Sequence, residues 1–323
     1  MISREQLENN QVWYYIVTLV LACGFGLLWT EVSSSLEQAV TVVLGILMFG
    51  MFSQIPFFRL KEALRNRRFI YALLTVNYVA IPILVWLLTR FLPDYPPLLL
   101  GVYLVLLTPC IDYVIVFTYL GRGNEKLILV ATPLLFVTQM LLLPLYLWLF
   151  MGQEAASLVH IEPFLEAFLG LIVLPLAIAL VVQILAKRGR LGSALLDASA
   201  WIPVPFMAIT LFVIVASQIG KLSGSMQMLI YVVPVYIAFM IITPFISRLF
   251  ARIFRLDIGA GRALIFSGGT RNSLVVLPFA LALPGETSLL ATSVIVTQTL
   301  VEIIGELVYI RLVPHVILKE KDN

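Results

Sequence analysis

Three short stretches carry side chains able to do chemistry, and each lies inside an apolar run. In LLTPCIDYVIVF, residues 106–117, Pro109, Cys110 and Asp112 follow the Thr108 hydroxyl. In SGGTRNSLVVLP, Gly268 and Gly269 precede Arg271, Asn272 and Ser273. In TQTLVEIIGEL, Gln298, Glu302 and Glu306 recur at every fourth position, which puts them on one helix face. A thiol can ligate a thiophilic metalloid, a carboxyl can carry a proton or hold a cation, and a guanidinium can grip an anion with two parallel N–H groups.

A charge at the centre of a membrane helix costs about 2.5–3.5 kcal/mol on insertion scales, so it needs a partner or a purpose. Proline removes a helical N–H and clashes with the carbonyl four residues back, and paired glycines lower the cost of unwinding. Both stretches therefore read as broken helices. Asp112 and Arg271 are expected to pair where the breaks cross, either as part of the mechanism or simply as a lock between helices. Asp112, Glu302 and Gln298 are assigned to ion or proton coupling. Cys110, Arg271, Asn272, Thr108 and Ser273 are assigned to substrate. Glu306 is expected to pair with Arg311 or to reach the membrane interface.

The elements that must position these residues follow from composition. Hydrophobic residues make up 61% of the chain and charged residues 12%, too few to coat a soluble domain. The expected fold is an all-α polytopic membrane protein forming one transmembrane domain over 1–323. Ten spans are expected near 12–29, 36–55, 69–89, 96–120, 127–151, 163–186, 198–219, 226–247, 258–283 and 287–314. Spans 4 and 9 are the broken ones.

Basic residues alternate between loops. Arg59, Lys61, Arg65, Arg67 and Arg68, then Arg122 and Lys126, then Lys187, Arg188 and Arg190, then Arg248, Arg252, Arg255 and Arg262, then Arg311, Lys319 and Lys321 mark one side. The other side holds Arg90 and Lys221 among the acids Glu31, Asp94, Glu154, Glu162 and Glu286. This asymmetry predicts two cytoplasmic termini in a cell (inner) membrane. The segment 59–69 reads as a short amphipathic helix whose charges set topology.

The chain also echoes itself. IVTQTLVEIIGELVY at 295–309 resembles FVTQMLLLPLYLWLF at 136–150, an offset of 159 residues. The same offset overlays five spans on five, giving repeats of about 11–152 and 162–316. An odd number of spans per repeat inverts the second against the first, a transporter architecture. It also sets Asp112 and Arg271 at equivalent places.

Several classes are excluded. No phosphate-binding loop, nucleophile elbow or metal-ligand spacing appears, so neither an enzyme nor an ATP-driven pump is expected, and no cofactor. His160 and His315 fall on different faces and make no metal site. The two cysteines, Cys23 and Cys110, form no disulfide framework. No basic stripe points to nucleic acid. Asn77, Gln54 and Ser217 read as ordinary polar contacts between helices, or as cavity lining.

With Thr108-Pro109-Cys110-Ile111 in span 4 and Glu302 in LVEIIGEL, the chain resembles the bile acid:sodium symporter superfamily over nearly its whole length. Within it, the chain is most similar to the arsenite efflux permeases, which carry a cysteine in span 4 and a glutamate in span 10. Where those permeases read close to SNNFELA, this chain reads TRNSLVV at 270–276. Asn272 is kept, Arg271 replaces an asparagine, and Leu274 replaces an acid. A fixed guanidinium repels sodium, so the proton is favoured over sodium as coupling ion.

The resemblance implies a secondary transporter, an antiporter exporting arsenite or antimonite through Cys110 and the proton gradient. Its partners would be membrane lipid, the metalloid and the coupling ion. Two alternatives stay open: transport of a small organic anion bound by Arg271, and a membrane receptor that no longer transports. Cys110 itself also fits a small buried apolar side chain.

Overall fold

A computed structural model describes residues 6–7, 10–29, 35–59, 66–152, 161–219 and 226–319. Several expectations fall outside these residues: Lys61 and Arg65 with the middle of the 59–69 segment, and Glu31, Glu154, His160, Lys221 and Lys321. Among the described residues every regular element is helical, and the extended backbone forms one isolated bridge.

In chain order the helices are α1 (Gln11–Leu28), α2 (Glu37–Gln54) and α3 (Arg67–Thr89), then α4 (Pro96–Leu106), α5 (Val114–Leu120) and α6 (Glu125–Met151). There follow α7 (161–186), α8 (Arg190–Ser199), α9 (Pro203–Ile219), α10 (Met226–Ile253), α11 (Ile258–Gly269), α12 (Ser273–Leu281) and α13 (Gly285–Leu312). Five helical segments are long and apolar enough to cross a membrane: Arg67–Thr89, Glu125–Met151, Leu165–Ala186, Met228–Ile253 and Gly285–Ile317. A sixth is the bent pair α8–α9 if it counts as one span, and Trp13–Leu28, Ala39–Gln54 and Pro96–Leu106 are shorter apolar helices. The chain is a multi-pass, all-helical membrane protein.

Local chemistry sets the helix boundaries. Asn66, Asn124 and Asp257 each precede a helix, and their side-chain oxygens accept the N–H of Phe69, Leu127 and Ala260 at 3.3, 3.3 and 2.9 Å. Prolines account for local unwinding. A π-turn at Val76–Ala80 in α3 lies just ahead of Pro82, and one at Leu169–Val173 in α7 lies just ahead of Pro175. Pro82 cannot donate to the Tyr78 carbonyl four residues back; the Tyr146 hydroxyl does so instead, at 2.6 Å.

The chain divides into two compact units. One comprises 1–55, 160–226 and 281–283; the other comprises 56–159, 227–280 and 284–323. In the first, Gln183 on α7 donates to the carbonyls of Phe52, Ser53 and Ile55 at the end of α2, at 3.2, 3.2 and 2.9 Å. The end of a helix exposes carbonyls to such capping donors. Gln54 reaches the Ser199 hydroxyl at 3.5 Å, and Ser217 turns back to the Ile214 carbonyl. Both are contacts between or within helices, as their sequence context suggests.

The second unit holds all three chemistry-bearing stretches. Its helices α4 and α13 pack closely because Gly101 has no side chain: a Cβ there would lie 3.0 Å from the backbone of Ala291. Arg262 belongs to the basic cluster expected in a water-facing loop, yet it is buried. Its guanidinium donates to the carbonyls of Leu318 and Arg122, both at 3.1 Å. The charge ties three segments together, where the sequence suggested only a marker of topology.

Gly101→Val should force α4 and α13 apart. Overpacking of this kind costs about 1–3 kcal/mol. Thermal unfolding in detergent should show a lower midpoint for the variant, and an unchanged midpoint would refute the close-contact role.

Candidate functional site

The helix α4 stops at Leu106, and α5 begins only at Val114. Pro109 explains the stop, since its ring would collide with the Val105 carbonyl if the helix continued. The Thr108 hydroxyl donates to the carbonyl of Leu104 at 2.9 Å and lies 3.2 Å from that of Val105. The second break, Thr270–Asn272, separates α11 from α12. Gly268 and Gly269 were expected to unwind, but both remain in α11. Their role is close packing: a Cβ on Gly269 would lie 2.6 Å from the Tyr309 ring, and one on Gly268 would meet the Ser247 hydroxyl.

The two breaks meet as an antiparallel bridge between Pro109 and Arg271. Cys110 N–H donates to the Thr270 carbonyl at 3.1 Å, and Asn272 N–H donates to the Thr108 carbonyl at 2.8 Å. Pro109 sits at the one register position that needs no N–H, so the missing donor costs nothing. Backbone that would be unsatisfied in hydrocarbon is thus satisfied by the other break. The bridge also fixes which residues of the two breaks face each other. Pro109, and not Asp112, stands opposite Arg271.

Arg271 is fully buried. Its Nη2 donates to the Ser267 and Gly268 carbonyls at 2.6 and 2.7 Å and to Asn77 Oδ1 at 2.8 Å. Nη1 lies 3.4 Å from the Leu106 carbonyl, and the guanidinium carbon lies 5.6 Å from the centre of the Phe239 ring. The side chain curls back onto the last turn of α11 and the end of α4. Both are helix C-termini, where exposed carbonyls and the macrodipole favour a cation.

The expected ion pair with Asp112 does not form. Asp112 Oδ1 accepts from Cys110 Sγ at 2.6 Å and from Tyr113 N–H at 2.7 Å. Short-range donors two residues and one residue away satisfy the carboxyl locally, while the carbonyls hold the guanidinium.

The backbone N–H of Arg271 goes to Glu302 Oε2 at 2.8 Å. Glu302 Oε1 accepts from the Tyr113 hydroxyl at 2.8 Å, and Oε2 also accepts from Gln298 Nε2. Glu302 is fully buried and takes three donors, the pattern of an ionised carboxylate. One turn on, Glu306 reaches neither Arg311 nor the interface. It is fully buried, and its Oε1 lies 2.9 Å from the Thr270 hydroxyl. The four-residue spacing on α13 brings both carboxyls to the same break, Glu302 to Arg271 and Glu306 to Thr270.

Asn272 caps α12, its Oδ1 accepting the Val275 N–H at 3.2 Å. Its Nδ2, Ser273 Oγ, Gln298 Oε1 and Arg271 Nε are buried without a hydrogen-bond partner. So, on α6, are both polar atoms of Gln139. His315 is exposed, and no group of three metal-ligating side chains occurs among the described residues.

Two participants escaped the sequence reading. Asn77 looked like a generic helix contact; it receives Arg271 while donating to Ser267 Oγ at 3.1 Å. Tyr113 was passed over as one aromatic among many.

The family comparison fits this setting. A family described as the Sodium Bile acid symporter family matches residues 41–225, more than half of the chain. The matched stretch includes Asn77, Cys110, Asp112 and Gln139, and ends before Arg271 and Glu302. Among curated proteins nothing matches the chain. A multi-pass helical chain with two broken helices bridged inside one compact unit, and this family match over most of its length, belongs to the sodium bile acid symporter family of transporters.

Proposed function

We propose that this chain is a proton-coupled secondary transporter that exports trivalent arsenic or antimony. Its architecture in this reading is ten spans in two inverted repeats, with both termini cytoplasmic in the inner membrane. The antiparallel meeting of the two breaks supports that arrangement.

One observation carries the coupling. Carbonyl oxygens at helix ends are the usual ligands for a coupling cation in such folds. Here the carbonyls of Ser267 and Gly268, with Asn77 Oδ1, already hold the Arg271 guanidinium. The family description names sodium, but a permanent cation in that ring opposes a second one. Glu302 is then a group placed to take up the coupling proton. Protonating it removes the charge that accepts the Arg271 N–H, and so reaches the break directly.

The metalloid reading rests on Cys110. Its thiol donates to Asp112 beside the break. Binding of arsenous acid forms one sulfur–arsenic bond and releases one arsenic-bound hydroxyl as water. The thiol proton ends in that water, and Asp112 is placed to relay it. A single thiol binds reversibly, which suits release.

A second reading, transport of a small organic anion, is favoured by a different observation. Asn272 Nδ2 and Ser273 Oγ are buried donors without partners at the start of α12, where a helix favours negative charge. The anion would bind there, because the Arg271 guanidinium is held by carbonyls.

Cys110→Ala should reduce arsenite resistance to the host background in an efflux-deficient cell, with the variant present at normal levels in the membrane. Full resistance in that strain would remove the thiol from the mechanism. In liposomes, Glu302→Gln should cut transport driven by a pH gradient roughly tenfold or more, since a hydrogen bond to a charged group is worth about 1.5–3 kcal/mol. The same vesicles should show no dependence on a sodium gradient. Sodium-driven flux in the wild type would overturn proton coupling.

A further inference from the structure

Two carboxyls on α13 face the broken helices, and their surroundings differ in a way that fixes where a proton sits. Glu302 accepts from three donors, and none of its contacts requires it to donate. Glu306 has one hydrogen-bond contact, the Thr270 hydroxyl at 2.9 Å, and its Oε2 has no partner.

Thr270 has a single hydroxyl proton. Its Oγ1 also lies 2.7 Å from the Phe266 carbonyl, the usual target for a threonine four residues further along a helix. A carbonyl oxygen can only accept, so the shorter contact takes the Thr270 proton. The contact with Glu306 is then a hydrogen bond only if Glu306 donates.

The charged and titratable neighbours agree. Glu302 and Tyr309 face Glu306 from α13, and Arg271 faces it from the break. The Arg271 guanidinium is occupied by neutral oxygens and gives Glu306 no ion pair. Beside an ionised Glu302 one turn away, a second buried carboxylate would meet like charge without compensation.

We propose that Glu306 is a second proton site of the coupling centre, a neutral acid in the conformation described here whose proton exchanges with water as the transporter cycles. This builds on the reading of the crossing as the coupling centre. The unpartnered Oε2 argues against a purely structural acid, which would have both oxygens satisfied. It leaves one acceptor open for an arrangement in which the break moves relative to α13.

Infrared spectroscopy of the purified full chain tests this without a substrate. The wild type should show a protonated-carboxyl band that shifts in D2O, is absent in Glu306→Gln and persists in Glu302→Gln. Glutamine mimics the neutral acid, so Glu306→Gln should keep the wild-type unfolding midpoint. A wild type with no such band would overturn the proposal whether or not either variant folds. A band that survives Glu306→Gln would do the same, and one that never exchanges in D2O would overturn the carrier role. An inert arsenite assay on the same preparation bears on the substrate reading alone, while the band decides Glu306.

Discussion

The structure depends on one constraint: the backbone of two interrupted helices must find hydrogen-bond partners away from water. Each break leaves carbonyls at the end of one half-helix and N–H groups at the start of the next. The breaks answer this by pairing with each other, through Cys110 to Thr270 and Asn272 to Thr108. The carbonyls left over at the ends of α4 and α11 are gathered by one guanidinium. Without that cation the ring of oxygens would repel itself; without the ring, Arg271 would be an uncompensated charge in the core. Each makes the other tolerable, and buried charges of this kind are costly to remove once built in.

This arrangement separates two roles that sequence reasoning had merged. Asp112 and Arg271 looked like one ion pair because each was an unpaired charge beside a break. In the folded chain, Arg271 supports the backbone and Asp112 serves the thiol. The negative charge that balances Arg271 is Glu302, which touches its backbone N–H while carbonyls hold the side chain. A change at Glu302 therefore acts on the peptide of the break itself. Tyr113 reinforces that link, since its hydroxyl lies 2.8 Å from Glu302 and 3.2 Å from the Arg271 carbonyl. With one proton and two acceptors, it must favour whichever oxygen carries more charge.

Much of this was legible in the residue types. Pro109 announced its break, because no helix interior accommodates it cheaply. The spacing of Gln298, Glu302 and Glu306 fixed their common face. What could not be read was register and reach. The offset drawn from Val-Thr-Gln set Asp112 and Arg271 at equivalent places, but equivalence in two repeats is not contact, and the residue that stands opposite Arg271 is Pro109. The glycines at 268 and 269 misled for a physical reason: glycine permits unwinding and close approach alike, and only the Tyr309 ring and the Ser247 hydroxyl beside them decide which is used. Asn77 was missed because a lone amide in a helix is usually a contact between neighbours, and nothing local marks it as a ligand for a residue far along the chain.

The position of Cys110 then has a consequence for any metalloid route. The thiol is fully buried, and its N–H is spent in the bridge between the breaks. A ligand reaching sulfur must therefore arrive where the backbone is already under the control of Arg271 and Glu302. In the proposed reading, binding at the thiol and protonation at Glu302 would act on the same few peptide groups, since Cys110 N–H and Arg271 N–H both belong to the bridged stretches. Coupling between the two would then need no long pathway, because the bridge ties both breaks into one set of backbone hydrogen bonds.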